Sequence, residues 1–596
     1  MTGKAISSIR PSSAVSFLAA GLLSAALLSP LVWPAPRAAA NPAKNKDTRK
    51  EQTIALSNAF KGKLPITELT EQEAALHALN RLGYGPRPGE ADRVRKMGLE
   101  RWVQQQLHPE TIDDSALEPR LARYPTLTMT AAELLDQYPR PEVAAKRIGI
   151  SKEDYRRKLD EMAKQRGTGA GARAAAGMTP QAVVNELTMA KLARAIYSER
   201  QLNEQLADFW FNHFNVFVYK DVDVYLVPGY ERDTIRPRVL GRFKDLLSAT
   251  AHSPAMLFYL DNHLSADPDA LDRLKHLTAQ ERRKQAGLPP VGGKRGLNEN
   301  YGRELLELHT VGVDGGYTQK DVIAAARCLT GWTVRELRMN PEFYFDARLH
   351  DPGKQIVMGK KFQSGGIQDG EKLLEMLAKH KSTAKFISAK LARRFVSDNP
   401  PPAVVERMAK TFLKTNGDIR AVMQTMIYAP EFWSRQAYRA KVKTPLELVA
   451  STARALGADV DTPAPLVNWT ARIGEPLYQC LPPTGYSDKA EAWVNTGGLL
   501  NRLNFAIALA SNQIRGTHVE LTALVGQEVT TDPKMALERA IEEFLGGQMS
   551  PQTRETLEKR STDPQVLRAK LDDPVQQVDL GILTGLVLGS PEFQRR

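Results

Sequence analysis

The chain has 596 residues, of which 42% are hydrophobic and 25% charged, enough apolar material for one large core or two to three packed domains. Its formal net charge is +13, and its two cysteines do not form a Cys-x-x-Cys motif. The composition therefore indicates a globular protein, and the cysteine spacing gives no support to a redox active site.

The amino-terminal 40 residues have the layout of a secretory signal peptide. Lys4 and Arg10 flank the start of an apolar run over 15–33, and an Ala-x-Ala site follows at 38–40. We expect the mature protein to begin near Asn41, in the periplasm or outside the cell. An uncleaved membrane anchor is the alternative. No later apolar run reaches 18 residues, so no further membrane span is predicted.

Export also bears on partners and on the cysteines. Nucleic acid is not an expected partner of an exported protein, so the basic excess favours an anionic or envelope polymer, unless it serves solubility alone. Cys328 and Cys480 can close one disulfide in an oxidising compartment, and the sequence leaves that pairing open.

The rest of the chain is predicted to be mainly helical. Residues 41–68 form a flexible segment, 69–440 a main helical domain with mobile insertions near 166–177 and 263–297, and 441–596 a carboxy-terminal helical part packed on it. Apolar residues three and four apart predict helices at 73–82, 91–106, 152–165, 181–199 and 384–395.

Strand signals are scarce. The segments 343–346 and 355–358 are separated by an Asp-Pro-Gly turn signal, which predicts one short β-hairpin. We therefore predict a mainly α fold, a large multi-helix array with at most this hairpin near 343–358.

Three predicted helices carry a polar stripe. In the aromatic helix over 201–216, Glu204, Asp208, Asn212 and Asn215 share one face, and its acids need partners because the helix is apolar on most other sides. His213 lies off this stripe and is expected to pack.

The helix over 298–309 has the densest polar face of the chain. Glu299, Asn300, Arg303, Glu304 and Glu307 fall within one arc at 100° per residue. This face can be a cleft wall or an exposed salt-bridge ladder, and both interpretations stay open. His309 projects away from the arc and is expected to cap or pack.

The third stripe lies on a helix over about 488–510. Glu491, Asn495, Gly498 and Arg502 align there, and the glycine allows close approach of another group. If the three faces meet, carboxylates, amides and an arginine share one pocket.

Several short motifs carry a likeness to a known family. They are LHALNRLGYGP at 76–86, DFWFNHF at 208–214, IRP at 235–237, NENYGRELLELH at 298–309, GYTQKDV at 316–322, LTGW at 329–332 and PPTGY at 482–486. From about residue 70 to its end the chain resembles the exported bacterial family called domain of unknown function 1800. The resemblance implies export and often a companion exported protein, but no established activity. The long insertion and Cys328 depart from the family pattern.

Two functions remain open at this stage. The first is a carboxylate-dependent hydrolase acting on an envelope or extracellular polymer, with Glu304, Glu307 and Asp208 as candidate catalytic residues. Its substrate-binding candidates are Asn300, Arg303, Asn212 and Arg502. The second is a non-catalytic envelope scaffold or partner-binding protein.

A metal is a further open question. Carboxylates and amides can hold Ca²⁺ or another divalent cation, but no stretch has the spacing of an EF-hand loop or a zinc site. The metal ligands are therefore unknown from the sequence.

Overall fold

Helices dominate the computed structural model, which describes residues 64, 67–165, 179–278, 280–281, 295–363, 365–526, 532–562, 566 and 578–596. The predicted signal peptide, the insertion at 166–177 and parts of the predicted flexible segment and second insertion lie outside the described residues. Within the described residues we number 26 α-helices and six strands in chain order.

In the first third of the chain, the regular elements among the described residues are all helices. Its helices are α1 (Glu71–Arg81), α2 (Glu90–Met97), α3 (Leu99–Leu107), α4 (Glu118–Leu121), α5 (Ala131–Gln137), α6 (Pro141–Arg147), α7 (Lys152–Gln165), α8 (Pro180–Tyr197) and α9 (Gln201–His213). The helix predicted over 91–106 is instead two helices, α2 and α3, separated at Gly98. Gly98 adopts φ 91°, and its N–H donates to the carbonyls of Val94 and Arg95 at the end of α2.

The middle third carries most of the strands. Its helices are α10 (Asp223–Gly229), α11 (Phe243–Ala251), α12 (Pro254–Tyr259), α13 (Ala270–Lys275), α14 (Glu299–Glu304), α15 (Gln319–Cys328), α16 (Ile367–Ala378) and α17 (Lys381–Phe395). Two π-helical segments lie at Tyr230–Ile235 and Leu305–His309, the second directly continuing α14. The predicted helix over 298–309 thus forms with a widened second half.

The predicted hairpin pairs differently from expectation. Strand β2 (Glu342–Phe345) pairs antiparallel with β1 (Trp332–Arg335), and β3 (Gln355–Val357) pairs with β4 (Lys360–Phe362). Met358 and Gly359 form the turn between β3 and β4, and both have positive φ. Such a two-residue turn joins adjacent strands of a hairpin, so β3 pairs with β4 and not with β2. The direct pairing of 343–346 with 355–358 was therefore wrong, although both segments are strands.

The last third is again helical. Its helices are α18 (Pro402–Lys414), α19 (Ile419–Ile427), α20 (Pro445–Ala455), α21 (Ala464–Ile473), α22 (Thr496–Ala510), α23 (Leu521–Val525), α24 (Pro533–Leu545), α25 (Pro551–Ser561) and α26 (Leu580–Leu588). Strands β5 (Asp459–Val460) and β6 (Thr517–His518) form a third two-stranded sheet. Short 3₁₀ segments lie at Pro109–Thr111, Ser115–Leu117, Pro125–Leu127, Arg236–Arg238, Asn262–Leu264 and Ala490–Ala492.

The mainly α fold class is confirmed. The helix predicted from 488 begins only at Thr496, because the Asn495 side chain accepts the Gly498 N–H and caps it. Glu491 therefore lies in a 3₁₀ segment outside α22. None of the helices among the described residues combines the length and apolarity that a membrane crossing requires.

Helix α9 lies in the core and positions the site. Its aromatic residues Phe209, Trp210 and Phe211 are buried, and Trp210 donates its indole N–H to the Val239 carbonyl at 3.0 Å. Burial on nearly every side forces the polar side chains of the same helix into the interior, where each needs a partner.

Candidate functional site

The Asp208 carboxylate of α9 is held between two cations. Lys191 of α8 lies 2.7 Å from one carboxylate oxygen, and Arg394 of α17 lies 3.0 Å from the other. Burial alone would raise the pKa of Asp208, but the charges of Lys191 and Arg394 outweigh it and lower the pKa. Asp208 is therefore ionised and paired.

Arg394 connects Asp208 to three further charged side chains, two directly and one through Glu447. Its guanidinium lies 3.0 Å from Glu447 and 3.2 Å from Asp488, and Arg596 lies 2.8 Å from Glu447. We call these six side chains the Asp208 cluster: Lys191, Asp208, Arg394, Glu447, Asp488 and Arg596. Within it, charges of both signs alternate, which is how buried ions offset their lost hydration.

Glu447 shows how local sequence builds this cluster. Thr444 and Glu447 form the capping box of α20, in which one Glu447 oxygen accepts the Thr444 N–H at 2.9 Å. The other oxygen faces Arg394 and Arg596. A helix start thus supplies a buried acid, and the Thr-x-x-Glu pattern was a signal for it that the polar-stripe analysis did not use.

A small cavity adjoins the Asp208 cluster. It has a volume of about 20 Å³, room for about one water molecule. Its lining comprises Asp208, Asn212, Arg394, Thr444, Glu475, Tyr486, Ser487, Asp488 and Trp493. The space can hydrate the carboxylates, but a polymer segment does not fit in it.

Glu475 lines this cavity and has no ion-pair partner among the described residues, and it was not predicted from the sequence. Burial, together with the negative charge of Asp208, raises its pKa to about 7. One of its oxygens accepts the Leu446 N–H at 2.8 Å. The signal was faint: a single carboxylate between Gly474 and Pro476 in an otherwise apolar stretch.

The Asn212 side chain is hydrogen-bonded to the backbone of a loop. Its amide donates to the Tyr486 carbonyl at 2.8 Å and accepts the Tyr486 N–H at 2.6 Å. Asn215 holds the same loop by donating to the carbonyls of Cys480 and Pro482. Gly485 adopts φ +72°, and a Cβ there would lie 2.2 Å from the Asn212 carbonyl oxygen. The DFWFNHF and PPTGY motifs therefore pack on each other.

A second ion network continues from Glu204, at the start of the same stripe. Arg236 lies 2.9 Å from Glu204 and 2.7 Å from Glu231, and the Tyr478 hydroxyl donates to Glu231. Burial opposes ionisation of Glu231, but the positive charges of Arg236, Lys191 and Arg194 lower its pKa to about 2. Within the predicted stripe, Glu204 and Asp208 are thus paired interior ions, whereas Asn212 and Asn215 bind a loop. Asn215 also lies beyond α9, which ends at His213 and not at 216 as predicted.

Arg502 of α22 is buried near the cavity but does not line it. One guanidinium nitrogen donates to the Lys443 carbonyl at 2.9 Å, while two others have no hydrogen-bond partner among the described residues. Burial lowers its pKa to about 10, although the charges of Glu475 and Glu447 favour the cation. Its predicted role in substrate binding remains untested.

Glu304, Glu307, Asn300 and Arg303 do not line this cavity. Arg303 lies 3.6 Å from Glu299 and donates to Gln319, which binds Glu299 in turn, so this part is a surface ladder. Asn300 is exposed. We call the polar arc of Glu299, Asn300, Arg303, Glu304 and Glu307 the Glu304 face. Among the described residues, the three polar faces do not meet in one pocket.

Glu304 and Glu307 have their own environment. Burial and the negative charge of Glu307 raise the pKa of Glu304. The Tyr317 hydroxyl donates to a Glu307 oxygen at 3.1 Å. Both carboxylates are half-buried, so they are reachable by water. The catalytic roles predicted for them remain predictions.

The half-buried Lys390 lies one helical turn from Arg394. Lys390 contacts His213 Nδ1 at 3.0 Å, and His213 Nε2 lies 3.2 Å from the His309 carbonyl oxygen. Burial lowers the pKa of Lys390 to about 8, against the attraction of Asp488. Both histidines are buried, as expected for packing residues, and Lys390 was not predicted from the sequence.

Metal and disulfide chemistry find little support here. Among the described residues, no group of three or more His, Cys, Asp or Glu side chains is arranged to hold a metal ion. Cys328 and Cys480 are both buried free thiols, so the bridge that the sequence left open is not formed.

The comparisons with known proteins bear on the family alone. A model of the family described as "Protein of unknown function (DUF1800)" matches residues 77–595. Neither curated proteins nor solved structures gave a match to the chain.

Proposed function

Since the chain belongs to the family described as "Protein of unknown function (DUF1800)", whose description names no activity, we propose a function from the arrangement of its charges. We propose that the protein is exported and binds an anionic polymer of the cell envelope, as a scaffold without hydrolytic activity. A companion exported protein is a further proposed partner.

The ion pairing of Asp208 carries this proposal. A general base needs a free lone pair within reach of a substrate proton, but both Asp208 oxygens are taken by Lys191 and Arg394. The adjoining space of about 20 Å³ admits water and no polymer. These contacts favour a structural role for the interior acids and leave binding to the basic surface.

Incubation of the purified mature protein with insoluble envelope polymers tests this. We expect sedimentation with insoluble polymers that carry carboxylates, such as peptidoglycan, weakened by salt, without release of soluble reducing ends over hours. Polymer breakdown that follows protein concentration would contradict the proposal, as would an absence of sedimentation with every anionic polymer.

Export needs its own test. Amino-terminal sequencing of protein recovered from the periplasm or medium is expected to give a start near Asn41. Recovery of the intact chain only from the membrane would favour the uncleaved anchor, and recovery from the cytoplasm would contradict export.

A carboxylate-dependent hydrolase at the Glu304 face is the second candidate. It is favoured by the raised pKa of Glu304, because burial and a neighbouring carboxylate that raise the pKa of an acid suit that acid to general-acid catalysis. Glu304→Gln and Glu307→Gln are expected to abolish any polymer breakdown without changing the melting temperature. Breakdown that survives both variants would rule this candidate out.

A further inference from the structure

A solvent-open groove lies on the carboxy-terminal part of the molecule, between α21 and the end of α22. Its volume is about 680 Å³, within the range of sites that hold small organic ligands. We call it the Trp469 groove; its lining includes Asn468, Trp469, Arg472, Ala508, Gln513 and Arg515.

An aromatic platform forms one wall of the Trp469 groove. Trp469 is half-buried, and its ring is fixed against Phe505 with centroids 5.7 Å apart. Arg472, three residues later on the same helix, lies over the Trp469 ring with its guanidinium carbon 5.1 Å from the centroid. The indole surface that Arg472 and Phe505 leave uncovered is apolar, and the C–H face of a sugar ring can pack on such a surface.

The polar groups around this platform are basic or neutral. Arg472 and Arg515 are exposed and have no ion-pair partner among the described residues, and no acid lines the groove. The exposed amides of Asn468 and Gln513 add hydrogen-bond donors and acceptors. Guanidinium groups bind carboxylates through paired N–H donors, so the charge is complementary to an acidic ligand.

We propose that the Trp469 groove binds a carboxylated oligosaccharide, with one sugar ring on Trp469 and its acid groups on Arg472 and Arg515. The inference rests on the proposed function, because it assigns that polymer binding to one site and one ligand class. The indole and the amides favour a sugar over an acidic peptide, which would use the cations but gain less from the flat ring.

Isothermal titration of the mature protein with a defined oligogalacturonate tests the site. Trp469→Leu and the double change Arg472→Gln with Arg515→Gln are each expected to weaken binding about tenfold or more. Arg101→Gln, at an exposed arginine elsewhere, is the matched control and is expected to bind as wild type. Wild type is expected to bind the methyl-esterified oligosaccharide, which lacks the acid charges, as weakly as the double variant binds the acidic oligosaccharide.

Each result has a definite meaning. Unchanged affinity in both groove variants, equal affinity for acid and ester, or preference for a polyglutamate peptide would overturn the assignment. If those variants still sediment with anionic polymers like wild type, the groove assignment fails while the proposed function stands. If wild type neither sediments nor binds the oligosaccharide, both fail.

Discussion

The polar stripe that supplies Asp208 to the Asp208 cluster and the Glu304 face look alike in sequence and differ in the structure. Both stripes place acids and amides along one side of a predicted helix. The cluster is buried except for half-buried Asp488, and the carboxylates of Asp208, Glu447 and Asp488 each contact a cation. Glu299 and Arg303 are instead about 40% exposed, and their charged groups lie 3.6 Å apart. The comparison teaches that a polar stripe takes its role from what packs on it.

The two groups of side chains should contribute differently to the free energy of unfolding. Removing one member of a buried ion network leaves its partners uncompensated and costs about 3–5 kcal/mol, while an exposed pair contributes about 0–1 kcal/mol. Four changes test the comparison.

The largest effect is expected for Arg394→Met. It removes the guanidinium shared by Asp208, Glu447 and Asp488, so we expect a loss of about 3–5 kcal/mol in the free energy of unfolding. Urea denaturation measures it, with Lys385→Met, an exposed cation of the same helix, as the control. Equal stability of the two variants would show that the cluster is energetically neutral.

Gly485→Ala is expected to come next. A Cβ there meets the Asn212 carbonyl oxygen at 2.2 Å, so the loop must move and overpacking adds about 1–3 kcal/mol to the cost of the backbone angle. Gly149→Ala is the matched control, because its φ of +71° is nearly the same and no atom lies within 4 Å. Similar melting temperatures for the two variants would contradict the close packing.

Lys390→Met tests the pKa of the half-buried Lys390 amine through the pH dependence of stability. With a pKa of about 8 against an ordinary 10.5, the unfolded chain binds more protons between these values, so stability rises with pH across this window. Lys390 thus destabilises by up to about 3 kcal/mol below pH 8, and the penalty is relieved by pH 10.5.

Wild type is therefore expected to gain stability relative to Lys390→Met from pH 8 to 10.5. Lys441 also has a pKa of about 8, but it is present in both proteins, so its contribution to the pH dependence cancels when they are compared at each pH. A stability difference that stays constant with pH would show that the amine is not desolvated.

The smallest effect belongs to the Glu304 face. Glu307→Gln removes the charge that helps burial raise the pKa of Glu304, so this pKa should fall. NMR of ¹³C-labelled glutamate side chains follows it, and the change in stability should stay below about 1 kcal/mol. An unmoved Glu304 pKa would mean that burial alone sets it.

Local periodicity predicted much of this fold. The helix over 152–165 was predicted with its exact bounds, and the mainly α class follows from such patterns. The predicted strand pairing was wrong, because β2 pairs with residues 332–335 and β3 pairs with β4 across the turn at Gly359. Pairing depends on contacts between segments, which the pattern of a single segment does not encode.

The candidate site was only partly predictable. The stripe on α9 indicated that Asp208 needed a partner, but Lys191, Arg394 and Glu447 come from separate helices. Glu475 has no periodic signal at all, since it follows a glycine in a loop. Side chains that tertiary packing brings together leave no spacing pattern for sequence analysis to find.

The free energies of unfolding of Asp208→Asn and Glu304→Gln, each measured against wild type, decide whether the two polar stripes differ in role. We predict a loss of about 3 kcal/mol or more for Asp208→Asn, because Lys191 and Arg394 lose their shared anion. We predict little change or a slight gain for Glu304→Gln. An Asp208→Asn protein as stable as wild type, beside a strongly destabilised Glu304→Gln protein, would contradict the structural role of Asp208.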